Sequence, residues 1–181
     1  LRFAFRHGTS PKALGDTATK GGPQSSLYEK FARHGAEEIV WSVKMSKIAS
    51  IEIAERFACA LDADDFPAAS RLLAEDCQYK TGRNDLRGRE QVISSFREAS
   101  TWARARFETV TYEHALEPKS ESATVIRFVD IFEHRGRRLV HVCLMHVAFG
   151  TDSLIQSLVL EELPGEREQL LAFLETLEIK R

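Results

Sequence analysis

Around Trp102 the apolar residues of this 181-residue chain change their spacing, and few folds accommodate both halves of the pattern. Upstream they recur every three or four positions. Ile48, Ile51, Ala54, Phe57, Ala58 and Leu61 make one such stripe, the signature of a helix with a single buried face. Downstream the period is two. Ala105 to Ala115, Ser122 to Phe132, Leu139 to Phe149 and Leu154 to Glu161 are rich in Val, Ile, Phe and Thr and read as four strands. Pro164-Gly165 then opens a helix over Glu166 to Ile179, with Leu170, Phe173, Leu174 and Leu177 on its stripe. Its acidic first turn and terminal Lys180 and Arg181 match the two ends of the helix dipole. Helices, a run of antiparallel strands and a closing helix predict an α+β domain.

The helical part is punctuated. Ser46 is positioned to cap the first helix, which ends in the acidic turn Asp62-Ala63-Asp64-Asp65. Asp65 can cap a second short helix, with Pro67 in its first turn and Leu72 and Leu73 facing inward. Cys77 to Thr81 alternates as a strand, Gly82 to Gly88 reads as a loop, and Arg89 to Ala99 as a third helix. The first 44 residues are different. Residues 7 to 26 are rich in Gly, Pro, Ser and Thr without an apolar period, and a short helix at Leu27 to Val43 is weakened by Gly35. Seven basic residues against four acidic give this segment +3, leaving 18 against 23, or −5, for the remainder. The expected division is a flexible or non-native extension over 1–44 and one domain over 45–181, starting at Met45. Removing the extension is expected to leave folding and any activity intact.

A formal net charge of −2 gives no reason to expect nucleic acid. Arg83, Arg87 and Arg89 make a local basic patch, but no aromatic residues are interleaved with them for base stacking. No apolar run reaches membrane-spanning length, and no secretory signal pattern follows Arg2 and Arg6. Cys59, Cys77 and Cys143 are dispersed, as in a reducing compartment, so the cytoplasm is the expected location.

The stretches ERFACALDADDFPAASRLLAEDCQY and LRGREQVISSFREA, in this order of elements, resemble the nuclear-transport-factor-2-like superfamily. The likeness is to its SnoaL-like polyketide cyclases and ketosteroid isomerases, and runs from about Ile48 to Glu162. It implies a cone: a curved, mostly antiparallel sheet closing as a barrel around the N-terminal helices, here with an extra C-terminal helix. It also implies an apolar pocket between sheet and helices, and frequently a homodimer through the outer sheet face. The isomerase catalytic groups do not carry over. The positions matching the oxyanion-hole tyrosine, the general-base aspartate and the protonated aspartate are Phe57, Thr81 and Met145, none ionisable at neutral pH.

Chemistry must therefore come from other residues. In IRFVDIFEHRGRRLVHVCLMHVAF, residues 126–149, a two-residue turn at Arg135-Gly136 pairs Asp130 with His141 on the face that would line the cone. A three-residue loop would shift the register by one and turn His141 outward. His141 and His146 lie on opposite faces and no H-x-H or H-x₃-H spacing occurs, so no metal site or cofactor is expected. Asp130 and His141 are the candidate catalytic pair, able to act as base or to orient a ligand; the structural alternative is a mutually satisfied polar pair. Tyr79 and Gln156 are candidate polar contacts, and Phe57, Met145 and Trp102 candidate apolar ones. His114 needs no role. The functional expectation is a small, mostly apolar molecule bound in the pocket of a homodimer, with isomerase-, cyclase- or hydratase-type chemistry as one option. The alternative is a non-catalytic dimerisation or protein-interaction module.

Overall fold

The computed structural model describes the backbone of residues 35–118 and 123–179, and the side chains of 49–117 and 123–179. The compositionally distinct stretch 7–26, the upstream part of the 27–43 helix, Ser122 and the terminal Lys180 and Arg181 lie outside the described residues.

The first helix, α1, spans Gly35–Asp62. It contains no proline and no glycine after Gly35, so nothing interrupts it at Ser46, which is interior and does not cap the helix. A Ser signals a cap only where the backbone leaves the helix, and here it does not. The expected boundary at residue 44 falls inside α1. Asp65 caps α2, Phe66–Ser70, its carboxylate accepting from the Ala68 N–H at 3.0 Å. Strand β1, Leu73–Lys80, buries Cys77 and Tyr79 on one face. The segment 82–88 is more than a loop: Asp85–Arg87 forms β2, antiparallel to β1. Helix α3 runs Arg89–Arg104, a turn longer than its apolar stripe suggests.

That extra turn delays the next strand. The N–H groups of Ala105, Arg106 and Phe107 still bond to the carbonyls of Thr101 and Ala103, so β3 begins at Thr109 and reaches Pro118. Strands β4, Ala123–His134, and β5, Arg137–Phe149, form the hairpin in the expected register, with Asp130 opposite His141. Arg135 and Gly136 both take positive φ, 50° and 71°, the conformation of a tight turn whose twist matches that of the strands. Strand β6, Ile155–Glu162, and helix α4, Glu166–Thr176, complete the fold.

The sheet is mixed, in the order β2-β1-β6-β5-β4-β3, with β1 and β6 parallel and the other pairs antiparallel. Among the described residues its edges, β2 and β3, are not paired with one another, so the cone is an open one. The inner face packs on the helices in two apolar clusters. The larger holds Phe57, Tyr79, Phe96, Phe128 and Met145; the smaller holds Phe107, Phe132, Leu139, Leu170 and Leu174. No helix among the described residues is long and apolar enough to cross a membrane.

Candidate functional site

The inward positions of β4 read Ile126, Phe128, Asp130, Phe132, and those of β5 read Leu139, His141, Cys143, Met145, Val147; all are buried. The first two of β4 and the last three of β5 belong to the larger cluster, whereas Phe132 and Leu139 belong to the smaller. Asp130 and His141, 0% and 1% exposed, lie where the two clusters meet. Cross-strand partners on one face have Cβ atoms about 5 Å apart, so carboxyl and imidazole are in each other's field.

The neighbouring strand extends the pair into a row. Tyr112 of β3 is the partner of Asp130 on its other side. The Tyr112 hydroxyl donates to the Ser100 hydroxyl of α3 at 3.4 Å, and Ser100 donates to Asp64 at 2.6 Å. Arg104 donates to the second Asp64 oxygen at 2.6 Å and stacks its guanidinium over the Tyr112 ring at 5.2 Å. On the far side, Glu166 at the start of α4 places a carboxylate oxygen 3.3 Å from His141 Nδ1 and accepts the Val142 N–H at 2.8 Å. A polar row therefore crosses the inner face between two apolar bodies.

Burial pushes the His141 pKa below its ordinary value, outweighing the upward pull of Asp130 and Glu166. An imidazole held neutral at neutral pH can accept a proton. Burial also raises the Tyr112 hydroxyl, with the charge of Asp130 adding to the effect. The same cause pushes the Cys77 thiol up to about 12, which makes it an inert core residue.

The other expected site residues divide. Phe57, Tyr79 and Met145 are fully buried in the larger cluster, Phe57 edge-on to Phe96 at 6.2 Å and Tyr79 tilted on Phe96 at 5.0 Å. Thr81 follows β1 and its hydroxyl accepts the N–H groups of Arg83 and Asn84. Trp102 is half-buried beside the smaller cluster, edge-on to Phe107 and covered by the Arg106 guanidinium. Gln156 does not reach the row: its amide donates to Asp76 at 2.8 Å. Pairing between β5 and β6 shifts at Ala148/Phe149, so Ile155 is buried and Gln156 lies beside Asp76 of β1.

Two residues have partners that the sequence does not disclose: Tyr112, which it does not single out, and His114, for which no role is expected. Tyr112 joins the row because β3 pairs with β4 in a register that no turn motif announces. His114, two residues on, faces α1, where its Nδ1 lies 2.6 Å from Asp62 and its Nε2 3.3 Å from Glu55.

No family model matches the sequence, and no curated protein is similar to it in sequence. Solved structures are similar in fold. An LEH-like epoxide hydrolase of Mycobacterium tuberculosis is 17% identical, over 72% of this chain and 98% of its own, at TM-score 0.51. A candidate polyketide cyclase of Xanthomonas campestris pv. campestris is 12% identical, over 73% and 98%, at TM-score 0.55. A further M. tuberculosis protein, in complex with estradiol-17β-hemisuccinate, is 15% identical, over 65% and 96%, at TM-score 0.53. The open, curved sheet packed on helices and these likenesses agree: the chain has a fold of the nuclear-transport-factor-2-like type.

Proposed function

We propose that the inner face of this domain binds a small, mostly apolar molecule, and that Asp130 and His141 orient it or exchange a proton with it. The observation that supports this most is the buried pair set between two apolar clusters, where an apolar ligand with one polar end finds matching surfaces. His141 in its neutral form is the proton acceptor of the pair, and Asp130 opposite it stabilises the imidazolium that results. Tyr112 is the strand partner of Asp130 on its other side, its hydroxyl donating to Ser100. A fold neighbour that holds a steroid derivative is consistent with a ligand of this class.

Native mass spectrometry of protein purified from its source is expected to show a co-purifying small molecule. Its affinity is expected to fall in His141→Gln and in Asp130→Asn. Unchanged affinity and turnover in both variants would end this reading.

A second reading, association through the outer sheet face, has its own support. Val140 and Val159 are 42% and 40% exposed there, next to the part-exposed Val129, Ile131 and Leu144. An apolar sheet face of this kind suits a homodimer. Sedimentation of the wild type against Val140→Lys/Val159→Lys tests it; a dimer unaffected by both lysines argues against that face.

A further inference from the structure

Glu55 and Cys59 lie four residues apart on α1 and therefore project from one face of the helix. His114 of β3 meets them from the sheet. Cys59 Sγ lies 3.9 Å from Glu55 Oε1 and 3.9 Å from His114 Nε2, and Glu55 Oε1 lies 3.3 Å from His114 Nε2. These are one oxygen, one sulfur and one nitrogen donor, all within 4.8 Å of one another. Around a tetrahedral zinc ion, with bonds of about 2.0 to 2.3 Å, such donors stand roughly 3.3 to 3.6 Å apart. The triangle therefore needs only tenths of an ångström of contraction to hold an ion.

The surroundings fit as well. Asp62, one turn beyond Cys59, accepts from His114 Nδ1 at 2.6 Å. A carboxylate on the far imidazole nitrogen fixes the ring and leaves the Nε2 lone pair for a metal. Asp62 and His114 are 16% and 13% exposed, while Glu55 is 51% exposed and Cys59 also faces solvent. Ions can enter, and water can fill the fourth position.

We propose that Glu55, Cys59 and His114 form a zinc-class divalent cation site, oriented by Asp62, with one coordination position open to solvent. Ligand spacing along the sequence could not disclose it, because the third donor is 55 residues from the second and arrives only through the fold. The ion ties α1 to β3 on the helix side of the sheet. Cys59 binds as thiolate, its proton passing to water on uptake, and the neighbouring carboxylates Glu55 and Asp62 favour a cation over an anion.

The test uses the full chain stripped of metal, with zinc and cobalt as probes. Calorimetry and elemental analysis are expected to show one tightly bound zinc ion per chain. Cobalt is expected to give a thiolate charge-transfer absorption. Both are lost in Cys59→Ala and in His114→Ala, with far-UV circular dichroism confirming that each variant is folded. Because Cys59 is exposed, its variant serves as the decisive one if His114→Ala does not fold. Asp62→Asn is expected to weaken binding about 10- to 100-fold while keeping the cobalt–thiolate band. Failure to take up zinc stoichiometrically overturns the proposal, leaving an ion-paired staple between α1 and β3. Uptake unchanged in Cys59→Ala, or cobalt binding without a thiolate band, overturns it equally.

Discussion

His141 and His114 each stand near two carboxylates, yet they occupy opposite environments. His141 faces Asp130 and Glu166 at 1% exposure, in a seam between apolar clusters. His114 faces Asp62 and Glu55 at the border between α1 and β3, open to solvent on the Glu55 side. At the first position burial outweighs the acidic neighbours and holds the imidazole neutral. At the second, Glu55 and Cys59 face solvent, so the donor atoms beside the ring can be reached from outside. The same pairing of residue types thus stands in two settings, desolvated in the seam and part-exposed at the border of α1 and β3. Desolvation, more than the identity of the partners, makes the difference.

Three measurements would break or sharpen this contrast. The largest effect belongs to the seam. His141→Leu removes one member of a buried polar pair and is expected to cost about 3 kcal/mol of unfolding free energy, by urea titration. The double variant Asp130→Asn/His141→Gln is expected to lose less than its two single variants added together. A change within about 0.5 kcal/mol for His141→Leu would place the pair in a solvated setting and erase the contrast.

The next effect concerns pH. His141 has its folded pKa below the ordinary 6.5, so under that value the unfolded chain takes up a proton that the folded chain refuses. Its contribution is fully present above 6.5 and is lost as pH falls through 6.5 toward the folded value. The slope has a ceiling of about 1.4 kcal/mol per pH unit. Stability measured between about pH 7 and pH 5 is expected to fall less steeply in His141→Gln than in the wild type. Parallel curves would argue against a buried neutral imidazole.

The smallest effect is at the other histidine. Without metal, His114→Ala is expected to cost about 1 kcal/mol or less, the usual range for part-exposed ion pairs. A loss as large as that of His141→Leu would make the two sites energetically alike.

The two sites also differed in how far the sequence disclosed them. Asp130 and His141 could be paired in advance because the Arg135-Gly136 turn sets the register of everything counted back from it. Local chemistry determined a long-range contact. His114 had no such anchor: β3 follows a helix that overruns its apolar stripe, and its contacts on α1 are more than 50 residues away. The same limitation explains Ser46, whose capping preference yields to a helix with nothing to stop it. It explains β2, too short to show a period. Gln156 was assigned to the inner face by parity, and parity fails wherever pairing slips by a residue, as at Ala148/Phe149.

The contact between Glu166 and Val142 has a consequence for how copies of this chain meet. Among the described residues, β6 pairs with β5 only from Cys143 onward, so Arg137 to Val142 have β4 on one side and no strand on the other. An open strand edge recruits other strands, including those of a second molecule. By laying its first residue on the Val142 N–H, α4 occupies a bond that an incoming strand would use. The helix beside the His141 seam thereby covers one of the backbone bonds that this edge would otherwise offer.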